Sequence, residues 1–130
     1  MRGWNMDIER EIDSMQDKVM SGLPTDELSE MLYSDYHAEE ADNIISDKAK
    51  IVVGEAFKKL DKQEQRDIYR NITPSYLKNI DNVMNSCKYD YSDKNGYNPL
   101  FLSFYVKKEV CLQFKENFEN KYIKMGGREL

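Results

Sequence analysis

From Asn98 to Ile123 the chain reads NPLFLSFYVKKEVCLQFKENFENKYI, and its apolar residues recur at the spacing of a helix surface. Asn98 can cap a helix, and Pro99 suits the first helical position, where no backbone N–H is needed. Leu100, Phe104, Cys111, Phe114, Phe118 and Tyr122 follow at steps of three, four and seven. Phe101, Tyr105 and Leu112 form a second ribbon beside them. This pattern predicts a long helix with a broad apolar face. No other stretch carries as much large apolar surface, so the remaining helices are expected to pack on it. Lys108 and Lys115 fall seven apart between the two ribbons. A buried unpaired lysine is costly, so they are expected to snorkel, to pair with acids of a neighbouring helix, or to contact a bound anion.

The rest of the chain has few breakers, with three prolines and six glycines in 130 residues. Residues 4 to 20 read as a first helix, with Trp4, Ile8, Ile12, Met15 and Val19 on one stripe. Gly22 and Pro24 end it. Thr25 is expected to cap a short second helix carrying Leu28, Met31 and Leu32. Ser34-Asp35 is expected to cap a third, from about 36 to 60. Its main stripe is Ala41, Ile45, Ala49, Val52, Ala56 and Leu60, widened by Ile44, Ile51, Val53 and Phe57. Asp61 and Glu64 form a capping box for a fourth helix reaching about Ile72. Thr73-Pro74 starts a fifth, about 74 to 87, with Leu77, Ile80, Met84 and Cys87 inward. The polar stretch from Lys88 to Tyr97 reads as a loop with a turn at Asn95-Gly96. The expectation is an all-α fold: a single compact bundle of five to six helices over residues 1–130, with the last few residues frayed.

Composition narrows the function classes. The hydrophobic fraction is 40%, and the net charge of −5 argues against non-specific binding of nucleic acid or an anionic membrane. No apolar run approaches membrane-spanning length. The start, MRGWNMDIEREID, lacks the apolar core of a signal peptide, so a cytoplasmic protein is expected. Cys87 and Cys111 read as buried free thiols with no metal-type spacing. The abundance of Lys, Asn, Asp, Ile and Tyr hints at an AT-rich genome, bacterial or phage. With one histidine and no Gly-x-Ser-x-Gly or glycine-rich phosphate loop, neither catalytic residues nor a cofactor are expected.

Three arrangements still bear on chemistry. His37 lies among Asp35, Glu39, Glu40 and Asp42, but a single imidazole without a second nitrogen or thiolate is poor for zinc. Glu27-x-x-Glu30 is followed by Glu39-x-x-Asp42. Two such pairs on neighbouring antiparallel helices can aim their oxygens at Mg²⁺. The pattern resembles the ExxE…ExxD signature of the all-α nucleotide pyrophosphohydrolases, the MazG-like and dimeric dUTPase families. That resemblance implies Glu27, Glu30, Glu39 and Asp42 as metal ligands and non-canonical nucleoside triphosphates as substrates. The segment between the pairs, Met31 to Ala38, is shorter than in those families. The third arrangement is a helix-turn-helix from helices about 62–72 and 74–87. Its second helix would read the major groove with Ser75, Tyr76, Lys78 and Asn79, with Arg66 and Arg70 on phosphates. The stretch LDKQEQRDIYRNI resembles the first helix of sigma-factor region four. Asp67 and Asp81 lie near the same surface, and the basic footprint of a DNA reader is missing.

The charge distribution favours a different function. Residues 1–40 carry three cations against eleven acids, a balance of −8. Glu9, Asp13 and Asp17 stack at four-residue steps on the first helix, where each like-charge step costs roughly 0.2–0.5 kcal/mol. Asp17 also sits in the last turn, where the helix dipole disfavours an anion. A ladder that costs stability locally suits a surface whose counter-charge comes from another molecule. The expected function is therefore a small acidic protein that binds, and inhibits or neutralises, a protein partner with a basic surface. Immunity proteins, antitoxins and phage-encoded inhibitors of similar size, charge and helicity work this way. Glu9, Asp13 and Asp17 would form that contact, with Tyr89, Tyr91 and Tyr97 as a second, aromatic contact.

Overall fold

The computed structural model describes residues 4–87 and 99–124. Among them are six α-helices and no strand: α1 (Trp4–Met20), α2 (Thr25–Leu32), α3 (Ala38–Lys59), α4 (Lys62–Asn71), α5 (Pro74–Cys87) and α6 (Pro99–Glu119). A π-helical turn, Asn120–Lys124, continues α6. The expected all-helical bundle is the fold observed. No helix among the described residues is long and apolar enough to cross a membrane.

α6 is the central element, and α1 to α5 all pack on it. α3 runs parallel to it: Tyr105 bonds Asp42 near one end, and Phe57 meets Phe114 edge-on near the other. α1 and α4 run antiparallel, and α5 also packs along α6. Gln16 bonds Ser103 while Glu9 reaches Lys107. Tyr69 stacks on Phe118 and Tyr122 bonds Gln65. Lys108 bonds Asp81 while Tyr76 lies beside Lys107. Phe101, Leu102, Val106, Val110, Cys111, Phe114 and Phe118 are all buried. A helix covered on so many sides has no single apolar stripe, and this corrects the expected ribbons. Their lower half, from Cys111 to Phe118, is core. In the upper half Leu100 is exposed and Phe104 half-buried, because Leu102, Val106 and Val110 turn inward instead. Leu112 is also exposed.

The start and stop signals act largely as read. Gly22 takes φ +90° after α1, the left-handed region that an L side chain resists. Asp61 and Glu64 form the capping box, with bonds of 2.8 and 2.9 Å. Thr73 Oγ1 accepts from the Tyr76 N–H at 3.1 Å, with Pro74 first in α5. Two caps differ. Thr25 is the first residue of α2 rather than its cap, since the Pro24 carbonyl already accepts from Leu28. His37 is the cap of α3, and Ser34 instead accepts from the Tyr36 N–H. On α3 the buried stripe is Ala41, Ile45, Ala49, Val53 and Phe57; Val52, Ala56 and Leu60 flank it. Ile44 and Ile51, expected inward, face solvent.

The end of α3 is closed by a buried amide. Gln65 Nε2 donates to the Phe57 and Leu60 carbonyls at 2.8 and 3.1 Å, while its oxygen accepts from the Tyr122 hydroxyl. One side chain thus reaches the Leu60 carbonyl and gives the Phe57 carbonyl a second donor beside the Leu60 N–H, which makes burying it tolerable.

Candidate functional site

The acidic surface expected from the sequence is spread over three elements. α1 supplies Glu9, Glu11, Asp13 and Asp17; α2 supplies Asp26, Glu27 and Glu30; the turn before α3 supplies Asp35, and the first turn of α3 Glu39 and Glu40. All ten are exposed except Glu9, which is half-buried, and the same span of 8–40 holds only two cations, Arg10 and Lys18. α3 packs on both α1 and α2, so the elements that carry these carboxylates are neighbours in the bundle.

The ladder on α1 is divided. Lys107, from α6, places Nζ 3.3 Å from Glu9 and 3.4 Å from Asp13. Its side chain is only 15% exposed and lies over the Phe104 and Tyr76 rings, 5.7 and 6.0 Å from their centroids. Two of the three acids therefore take counter-charge from within the chain. Asp17 has no ion-pair partner among the described residues. Lys107 is the residue that sequence reasoning missed. Its signal was its place one residue after Val106, on the flank that faces α1 once Val106 and Val110 point inward.

Burial pushes the Cys111 thiol up to about 12, against the lowering effect of Lys107 and with Glu9 and Asp13 adding to the rise. A thiol held neutral is inert. The Tyr76 hydroxyl is also raised, by burial first and then by the Glu9 carboxylate it faces without a well-formed hydrogen bond. Cys87 is likewise buried and in no disulfide, as expected.

The other candidate residues are not gathered into sites. Among the described residues no group of three or more His, Cys, Asp and Glu side chains could hold a metal, so Glu27, Glu30, Glu39 and Asp42 do not converge. Asp42 instead turns to α6, where it accepts from the Tyr105 hydroxyl at 2.6 Å. Burial, then that carboxylate, raises the Tyr105 hydroxyl. His37 stands 3.9 Å from Glu40, both exposed. A cleft of about 200 Å³ lies beside Asp42, lined by Met84, Tyr105, Lys108, Glu109 and Leu112. Its polar groups are satisfied by protein: Lys108 by Asp81 at 2.6 Å, Glu109 by Gln113 at 2.9 Å. Lys115 lies 5.2 Å from the Tyr69 ring centroid, a cation–π contact. Both lysines that interrupt the apolar face of α6 thus have partners inside the chain.

α4 and α5 do not form the compact helix pair of a DNA reader. Each packs on α6 and scarcely on the other. Ser75, Lys78, Asn79 and Arg70 are exposed, but Arg66 is half-buried and the Tyr76 ring is turned toward α1 and α6. Tyr89, Tyr91 and Tyr97 lie outside the described residues.

No family model, no curated protein and no solved structure matches this chain.

Proposed function

We propose that this chain is a small non-catalytic binding domain. Its α1–α2 side, with the first turn of α3, engages a basic surface of a partner protein and blocks it. The observation that carries this reading is the charge imbalance over residues 8–40, ten carboxylates against two cations, nearly all at the surface. Lys107 answers only Glu9 and Asp13. The concentration of like charge that remains destabilises the free domain slightly and is relieved when a cationic surface meets it. Such a surface speeds encounter more than it strengthens the final complex, so association should slow as salt rises.

The test uses positions that Lys107 does not hold. Asp17→Lys combined with Glu30→Lys should leave the helical spectrum unchanged and the melt unchanged or slightly higher. Immobilised wild-type chain should retain a basic protein from cell extract at low salt, identified by mass spectrometry. The doubly reversed chain should lose it. Equal retention by both chains would remove the acidic side from the interface.

A further inference from the structure

We propose that the outer face of α3 is a second interaction surface, through which two copies of this chain pair antiparallel about a two-fold axis. This goes beyond the acidic contact above and does not depend on it.

Glu40, Ile44, Asp47, Ile51, Gly54 and Lys58 lie on one stripe of α3, at steps of four, three, four, three and four. That is the seam spacing of a coiled coil, yet here it points to solvent. The core stripe of α3 is a different one, so the bundle makes no use of these residues. Ile44 and Ile51 are 41% and 62% exposed, unlike any other aliphatic residue on this helix. The spacing reads the same in both directions about Ala49. When two such helices lie antiparallel in this register, Glu40 meets the partner's Lys58, Ile44 meets the partner's Gly54, and Ile51 meets the partner's Asp47. Every contact is made twice, as an isologous interface requires.

Gly54 selects this register. A Cβ added there would meet nothing within 4 Å, so packing inside the chain does not require glycine. In a helix interior glycine is less favourable than alanine. Its bare backbone opens a groove of about 360 Å³ between α3 and the end of α6, lined also by Phe57, Lys58, Asn117, Asn120 and Lys121. The groove is mostly apolar at its floor and cationic at its rim. A branched aliphatic side chain followed one turn away by a carboxylate is its complement, and the second copy brings both as Ile44 and Glu40.

The charges select the antiparallel direction. The first half of α3 carries Glu39, Glu40, Asp42 and Asp47, and its last turn carries Lys58 and Lys59. Antiparallel pairing sets each acidic half on a basic end and opposes the helix dipoles; parallel pairing would set like on like. Asp47 is the polar layer of the seam, a position that fixes register at some cost in affinity. The seam of a 22-residue helix is roughly 33 Å long. One such seam is at the small end of specific interfaces, so the pair should be weak and reversible.

Sedimentation velocity of the full chain at low salt, from about 10 µM to about 1 mM, reads the equilibrium directly. The wild-type mass should rise from one chain toward two. Glu40→Lys and Lys58→Glu should each weaken pairing about tenfold or more, and the two together should restore it to within about threefold. Gly54→Leu, which fills the groove, should weaken it as much as either reversal. All three positions lie on the outer face, so the circular dichroism spectra should match. A wild type that stays one chain at the highest concentration would overturn the proposal. So would single reversals without effect, or a double reversal that fails to restore pairing.

Discussion

Phe104 and Phe118 belong to the same ribbon of α6 by spacing, yet the bundle treats them differently. Phe118 is fully buried, stacked on Tyr69 at 4.2 Å and 15°, with Tyr122 at 4.7 Å on another side. Phe104 is half-buried, and its ring is covered in part by Lys107. Phe118→Ala removes six ring carbons from a site with no solvent to refill it. Transfer, cavity and lost aromatic stacking together give about 4 kcal/mol. Phe104→Ala loses about half the transfer free energy and leaves a notch open to water, about 1–2 kcal/mol. Unfolding entropy scales with length, so for a chain of 130 residues these become falls in Tm of about 15 °C and about 5 °C. Scanning calorimetry, with urea melts to confirm an unchanged m value, would measure both. Equal shifts, or a larger one for Phe104, would refute the account of which side of α6 is core.

Two further outcomes follow from the Lys107 junction. Lys107→Met keeps the stem against Phe104 and Tyr76 but drops the charge, and should cost about 1–2 kcal/mol at low salt, since its two acids are each about half exposed. Urea melts repeated at high salt should show a smaller loss; an unchanged loss would mean that the charges are not its cause. The Cys111 thiol titrates near 9 when unfolded and is raised to about 12 when folded. The unfolded chain therefore releases its proton first, and stability from this group, complete below pH 9, is lost as pH rises toward 12. Cys111→Ala should show a shallower decline between neutral pH and pH 11 than wild type, and parallel declines would sink the assignment.

Where one side of a helix meets the core, the residues alone identify that side. Ile8, Ile12, Met15 and Val19 of α1 form such a stripe, and the Asp61–Glu64 box is complete within four residues. α6 could not be read this way. It is wrapped by five helices, so its inward direction changes along its length, and Leu100 and Phe104 lose their place to Leu102, Val106 and Val110. The acidic side was visible as a count of charges. Its partial neutralisation was not, because Lys107 is 98 residues from Glu9 and indistinguishable from Lys108 until α6 is oriented. Ile44 and Ile51 show the opposite difficulty. As apolar residues on a helix they read as core, and only the packed bundle shows them left outside.

That α6 is the common floor for the helices before it bears on how the molecule is made. A ribosome that has released residues 4–87 has delivered α1 to α5 without the surface on which all five come to rest. α1 and α2 can lean on α3 meanwhile, but α4 and α5 have little besides α6 to hold them. Their apolar stripes stay open to solvent, and to chaperones, until the last helix emerges. The closing step then joins residues distant along the chain, such as Glu9 with Lys107 and Asp42 with Tyr105, late and nearly together. A stalled or prematurely ended chain would be a string of sticky helices rather than a smaller version of the domain.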